Sequence, residues 1–218
     1  THTKDPYKQL VEHIDSNALY YLASIVLKNG KTEHILPFTT IWNHTGSQQR
    51  LSVLNSFNKI ENLFQLKTTL LGLSDSNTEV VIKAIRLLKH SEIEQTMGAL
   101  INQLYVNNVD IQCATTNTLT FFFNEEEAMV FQKKLALKHL IKVLENDKQQ
   151  AQICSAKTLG ASESKRAVIA LLKLISSTNK YSSQIKSAAI DALSEIRDSR
   201  AINKLIILIE AVESKPDE

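Results

Sequence analysis

The side chains of this sequence that could do chemistry are six histidines, two cysteines and a run of three glutamates. No two histidines form an HExxH motif or an i,i+4 pair that would hold a metal ion. With only five glycines, the chain has no glycine-rich loop for a phosphate group. We therefore predict no catalytic residue, no metal site and no cofactor. The histidines concerned are His2, His13, His34, His44, His90 and His139.

The two cysteines, Cys113 and Cys154, lie in apolar, helix-like stretches. Without a CxxC pair they indicate neither a disulfide framework nor a zinc site. We expect buried, reduced thiols, which favour a reducing compartment. The longest mainly apolar stretch, Ala18–Leu27, is shorter than the about 20 residues that a membrane-spanning helix needs. The prediction is a cytoplasmic location, either as a free protein or as the cytosolic part of a membrane-anchored one.

The acidic run Glu125–Glu127 follows Asn124 and could serve acid–base chemistry or hold a cation. Acidic residues behind an Asn cap are also what the first turn of a helix favours, and we interpret the run in that way. The preceding run, Phe121–Phe123, cannot direct all three rings into one core. We expect two rings to be buried and one to cover a loop. The alternative is an exposed aromatic side chain that binds a partner.

A twelve-residue pattern that recurs along the chain predicts the helices that position these side chains. Its fifth place is never a long side chain, its seventh is polar in five of six copies, and its ninth is large and apolar. Places one, five, eight and nine share one face of a helix, whereas places seven and ten point away from it. The ninth-place residues are Leu27, Phe57, Leu88, Leu119, Leu159 and Leu193.

A second amphipathic stretch separates successive copies, as in Leu63–Leu73 and Ile93–Tyr105. The unit is therefore a helix A, a short turn and a helix B that carries the pattern. One pair cannot bury its own apolar faces, so the pairs must stack. The low content of glycine and proline excludes a β-sandwich or barrel. We predict an all-α fold, an α-solenoid of about six stacked antiparallel helix pairs, in one repeat domain over residues 1–218.

The pattern resembles the HEAT-repeat family, most closely in Ile185–Leu193 and in Arg197–Ile202, where Asp198-Ser199-Arg200-Ala201-Ile202 opens the last helix A. This resemblance implies a right-handed superhelix whose concave side is lined by helix B. The second place of the pattern, basic in the family, is basic only at Arg50 and Lys186. The ladder of Asp–Arg pairs that links repeats in many members should therefore be incomplete.

The outward places of helix B form a polar, mildly basic row, and this row is our candidate binding surface. A net charge of +2 is too small to imply a nucleic-acid partner. A charged row is often only a solvated face, but this one would also suit an acidic extended or helical segment of a protein. The residues proposed for binding are Asn55, Lys83, Arg86, Lys89, Asn117 and Lys157, with Asn58 and Thr120 in the same row.

The function that this architecture favours is a non-catalytic protein–protein interaction scaffold or regulatory module. The alternative is an enzyme, because some HEAT-like proteins resemble alkylbase DNA glycosylases and others attach bilins. A glycosylase needs a strongly basic groove with aromatic residues and a catalytic carboxylate. Trp42 is the only tryptophan, and its position in a predicted helix A indicates packing. No residue distinguishes a bilin lyase, so we do not expect an enzyme.

Overall fold

The computed structural model describes residues 35–89, 91, 93–123, 130–145, 148–177 and 180–213. These residues form α-helices, with one short 3-10 turn at Lys165–Ala167 and no strand in the described ranges. The predicted all-α class is confirmed. The helices are α1 (Ile35–His44), α2 (Ser47–Asn55), α3 (Leu63–Gly72), α4 (Thr78–Leu88), α5 (Ile93–Gln103), α6 (Val109–Phe123), α7 (Val130–Val143), α8 (Gln149–Ala161), α9 (Val168–Ser176), α10 (Ser183–Ile196) and α11 (Ser199–Glu213).

The even-numbered helices carry the repeated pattern, and the odd-numbered ones are the intervening A helices. In each of α2, α4, α6, α8 and α10, the pattern starts two residues after the first residue of the helix. This constant offset means that the sequence pattern is in register with the helices themselves. The predicted alternation of helices A and B is therefore confirmed for these five copies, whereas the copy that starts at Leu19 lies outside the described residues.

Burial follows the places of the pattern as the helical period requires. The fifth-place residues Val53, Ala84, Thr115, Ser155 and Ala189 are all 0% exposed. The ninth-place residues Phe57, Leu88, Leu119, Leu159 and Leu193 are at most 2% exposed. Small residues beneath large ones let neighbouring helices approach closely and still fill the space between them. Leu27, the remaining ninth-place residue, lies outside the described residues.

The chain divides into two compact units, residues 1–99 and 100–218. In the first unit α4 packs against both α2 and α3, and α1 packs on α3. Trp42 of α1 is buried, and the neighbouring Phe38 ring meets Phe64 of α3 edge-on at a centroid distance of 4.8 Å. The packing role predicted for Trp42 is confirmed. That residues 1–218 form one repeat domain stays a prediction.

In the second unit, helix α8 packs against the two neighbouring B helices, α6 and α10. Gly160 makes the α8–α10 approach possible, because an added Cβ there would lie 2.7 Å from the Ala192 Cα. Thr120, its counterpart at the tenth place of α6, puts its hydroxyl 3.4 Å from that of Thr158 on α8. The expectation that place ten points outward is therefore wrong for these two helices, where it faces the next helix B.

The cysteines contradict the expectation of reduced, buried thiols. Cys113 of α6 and Cys154 of α8 form a disulfide, and both are partly exposed. They occupy the third and fourth places of consecutive copies, which lie at the flank of the pattern rather than on its buried face. Because α6 and α8 pack side by side, this flank brings the two Cα atoms to 5.4 Å. The bond covalently joins two successive repeats.

Asparagine and serine side chains cap the N-termini of several helices. The Asn77 side chain accepts hydrogen bonds from the backbone N–H of Glu79 and Val80 at the start of α4. Asn108 does the same for Asp110 and Ile111 at the start of α6. Each cap satisfies backbone donors that have no partner within their helix.

We expect Gly160→Ala to destabilise the protein although alanine favours helices. Moving the Ala192 backbone away from the new Cβ should cost about 1–3 kcal/mol, which exceeds a propensity gain of about 1 kcal/mol. Gly98, within α5, is the matched control because an added Cβ meets nothing within 4 Å there. Gly98→Ala should stabilise by about 0.5–1 kcal/mol. Chemical denaturation measures both changes, and equal effects would contradict the close approach at Gly160.

The disulfide should contribute to stability, because it closes a chain separation of 41 residues and so restricts the unfolded chain. The double variant Cys113→Ser/Cys154→Ser should lose about 2–4 kcal/mol. A reducing agent should lower the melting temperature of the wild-type protein and leave that of the variant unchanged. Rapid alkylation of both cysteines in unreduced, native protein would contradict the bond.

Candidate functional site

Four of the six residues proposed for binding belong to the first unit. Asn55 is the last residue of α2, and Arg86 lies in the last turn of α4, which packs beside α2. Both side chains are exposed. Lys83 and Lys89 are half-buried, and Lys89 is the C-cap residue of α4. Helix α4 thus carries two cations, Lys83 and Arg86, and the neighbouring helix α2 carries the neutral side-chain amide of Asn55.

The part of the row on α4 is positively charged, since it carries Lys83 and Arg86. Partial burial and the neighbouring Arg86 guanidinium both lower the pKa of Lys83, and burial is the larger cause. Like charges on one helix face lower each other's affinity for protons, and an incoming carboxylate would relieve that repulsion. The α4 part of the row is therefore suited to anionic groups.

The other two residues of the row belong to the second unit. Asn117 is exposed on α6 and Lys157 on α8, at the seventh place of two B helices that pack together. The next seventh-place residue, Asp191 on α10, is also exposed. Within this unit the row changes from neutral to basic to acidic. The seventh place is exposed in all five described B helices, and so it takes no part in their cores.

The second place of the pattern serves a different purpose, and the structure shows what the non-basic residues do there. Gln112 and Gln152 donate their side-chain amides to the carbonyls of Leu104 and Leu144, at 3.0 and 2.8 Å. Each carbonyl belongs to the first residue after the preceding helix A. Arg50 donates to the corresponding carbonyl, that of Thr45. The second-place side chain thus satisfies a helix-end carbonyl that has no partner within its helix.

Arg50 makes a second contact that the glutamines cannot make. Its guanidinium binds both carboxylate oxygens of Asp75, at 2.5 and 2.9 Å, and the Asp75 side chain is only 2% exposed. Asp75 also accepts a hydrogen bond from the backbone N–H of Asn77. One rung of an Asp–Arg ladder is present here, and glutamines replace the arginine at two other places. The prediction of an incomplete ladder is confirmed.

The Asp198–Arg200 pair organises the start of α11. The side-chain and backbone N–H groups of Arg200 donate to Asp198, and these hydrogen bonds lower the pKa of the Asp198 carboxyl to about 2. Arg200 also donates to the carbonyl of Lys165, in the turn before α9. These residues, which carry the family resemblance in the sequence, therefore join one repeat to the next.

One cluster of titratable groups lies outside the row. The Tyr105 hydroxyl is 2.5 Å from Nδ1 of His139, and the Lys142 ammonium lies 5.5 Å from the centre of the Tyr105 ring. Burial raises the pKa of Tyr105; burial and the nearby lysines Lys138 and Lys142 lower the pKa of His139. Across the described ranges, no group of three His, Cys, Asp or Glu side chains could hold a metal ion.

Sequence reasoning missed a groove on helix α7. Phe131, Lys134, Lys138 and Arg166 are among its lining residues, and Phe131 is 73% exposed. The signal in the sequence was four lysines with no carboxylate between Val130 and Val143. In the run Phe121–Phe123, two rings were expected to be buried and only one is, whereas partner binding by an exposed ring stays a prediction. Phe122 is buried, Phe123 is half-buried and Phe121 is 53% exposed. Glu125–Glu127 lie outside the described residues.

Comparison with known proteins supports this assignment of the fold. Residues 137–216 match the family model for HEAT repeats. Among solved structures, the crystal structure of an engineered protein is similar at 15% sequence identity with a TM-score of 0.51. The similarity covers 92% of this chain and 91% of that one. No curated protein matches the chain.

These findings define the class of protein. The chain has an all-α, HEAT-like solenoid fold, and the part of it over residues 137–216 is similar to HEAT repeats. The resemblance read from Ile185–Leu193 and Arg197–Ile202 is confirmed. The number of helix pairs stays a prediction. None of the described helices is both long and apolar enough to cross a membrane.

A substitution at Arg50 tests whether its ion pair with Asp75 stabilises the protein. Arg50→Gln should keep the bond to the Thr45 carbonyl, as Gln112 and Gln152 do in their repeats, but it leaves the buried Asp75 carboxylate without its cation. We expect a loss of about 3 kcal/mol by chemical denaturation. The double variant Arg50→Gln/Asp75→Asn should recover part of that loss, because the buried charge is gone. Equal stability of the single and double variants would contradict the coupling.

Proposed function

We propose that this chain is a non-catalytic scaffold or regulatory module that binds a protein partner through the outward row of its B helices. The residues proposed for contact are Asn55, Lys83, Arg86, Lys89, Asn117 and Lys157. The observation that supports this proposal is that the seventh-place side chain is exposed in all five described B helices, while the fifth- and ninth-place side chains are buried. In the five described B helices these side chains take no part in the core, so they are accessible to a partner.

The partner that suits the row is an acidic segment, extended or helical. Arg86 and Lys157 supply exposed cations, and the half-buried Lys83 lies three residues from Arg86 on the same helix. The asparagines at positions 55 and 117 add donors and acceptors for a polar backbone. A nucleic-acid partner is not proposed, because the net charge is only +2 and Trp42 is buried.

Because of the disulfide, the cellular compartment that we propose differs from the cytoplasm expected from the sequence. A cytoplasmic location followed from the expectation of free thiols, but Cys113 and Cys154 are bonded. Disulfides persist in oxidising compartments and are rare in the cytosol of most organisms. We therefore propose that the chain works in an oxidising environment, where the bond holds two repeats together.

The binding row can be tested by charge reversal. The double variant Arg86→Glu/Lys157→Glu should keep the wild-type melting temperature, because both side chains are exposed. Affinity capture on immobilised wild-type protein identifies partners, and the same capture on the variant should lose them. For a purified partner, the affinity should fall on the order of tenfold or more, and the wild-type affinity should weaken with added salt.

The matched control reverses the same number of charges on A helices. Lys67→Glu/Lys173→Glu changes one exposed lysine in each unit, on α3 and α9. This control should retain the partner. A partner that binds the Arg86/Lys157 variant and the wild-type protein with equal affinity would show that the row is not the binding surface.

A further inference from the structure

Helix α7 differs from its neighbours in the chemistry of its outer face. Between Val130 and Val143 it carries Lys133, Lys134, Lys138 and Lys142 and no acidic residue. Its inner face buries Ala136, Leu137, Leu140 and Val143. On the outer face, Phe131 is 73% exposed and Val130 is 49% exposed. Neighbouring exposed apolar side chains with charged residues around them are a common feature of interaction surfaces.

The outer face of α7 forms one wall of a groove. Arg166, from the 3-10 turn before α9, joins the lining. The groove has a volume of about 540 Å³, within the range of sites that enclose part of a ligand. Among the described lining residues the ionisable ones are all cations, and the others are apolar. The lining consists of Phe131, Lys134, Leu135, Leu137, Lys138, Ile141 and Arg166.

The spacing of these cations limits what could occupy the groove. Lys134 and Lys138 are one helical turn apart, so their side chains leave the same face at a separation of about 5–6 Å between Cβ atoms. Carboxylates one turn apart on a second helix have the same spacing. Arg166 can bind a further carboxylate with two hydrogen bonds. An apolar side chain between such carboxylates would pack on Phe131, Leu135 and Ile141.

We propose that this groove binds an acidic amphipathic helix of a partner protein, with an apolar side chain inserted beside Phe131 and carboxylates on Lys134, Lys138 and Arg166. The surface is distinct from the B-helix row, since it is built by an A helix and the turn before the next one. The occupant follows from charge complementarity and from the concave shape. A flat membrane surface would reach Phe131, which is 73% exposed, but not Leu135, Leu137 and Ile141, which are half-buried or buried in the groove and are accessible only to a side chain that enters it.

The test uses three labelled helical peptides with leucine at i, i+3 and i+7 and glutamates in three different registers. Fluorescence anisotropy measures their binding to the full chain, and a scrambled peptide of the same composition controls for net charge. At least one register should bind far more tightly than the scrambled peptide. Lys134→Glu/Lys138→Glu should weaken that binding on the order of tenfold or more. Phe131→Ala should weaken it several-fold, because it removes the apolar contact.

Two matched controls separate the groove from general surface effects. Lys173→Glu changes an exposed lysine of α9, and Ile169→Ala removes a side chain of α9 that is 70% exposed, and neither residue lines the groove. Both should bind the peptide with wild-type affinity. The Arg86→Glu/Lys157→Glu variant should do so as well, so that failure of the B-helix row and failure of the groove remain distinguishable.

Three results would overturn the proposal. The first is that no register binds better than the scrambled peptide. The second is that the groove variants and their controls bind alike. The third is that vesicles of phosphatidylcholine and phosphatidylserine capture the protein through Lys134 and Lys138 while the peptides neither bind nor compete, which would assign the surface to an anionic membrane.

Discussion

The close packing of one B helix on the next is the constraint on which the rest of the second unit depends. Helix α8 lies against both α6 and α10, and the contact with α10 is so tight that only glycine fits at position 160. A helix pair alone leaves an apolar face in water, so each pair becomes stable only against its neighbours. The small fifth-place residues set the spacing between helices, and the Cys113–Cys154 bond fixes it covalently between α6 and α8.

The packing of the helices also determines how the carbonyl groups at the ends of A helices obtain a hydrogen bond. The carbonyl that follows each of three A helices receives a hydrogen bond from the second-place side chain of the next B helix, whether that residue is Arg50, Gln112 or Gln152. A glutamine amide is long enough for this bond, so arginine is required only where a buried carboxylate, Asp75, must also be neutralised. Gln112 and Gln152, which replace the basic residue of the family pattern, thus keep the hydrogen bond to the helix-end carbonyl but carry no positive charge.

The same arrangement leaves two kinds of surface for binding. The exposed seventh-place side chains of the five described B helices take no part in the cores. They are neutral at Asn55 and Asn117, basic at Arg86 and Lys157, and acidic at Asp191. The outer face of α7 combines an exposed aromatic ring with cations around a depression. The first surface suits a polar, acidic segment, whereas the second suits a helix with one apolar edge.

The sequence by itself determined the helices, their register and their buried faces, because the 3.6-residue period and the small and large places act within a single helix. It therefore predicted the burial of fifth- and ninth-place residues such as Val53 and Leu159. Contacts between helices were decided only by the tertiary structure. The disulfide, the inward tenth place at Gly160 and the groove that Arg166 completes each need two segments that are brought together by packing. The residue pattern of one helix does not specify which side of the neighbouring helix it will pack against.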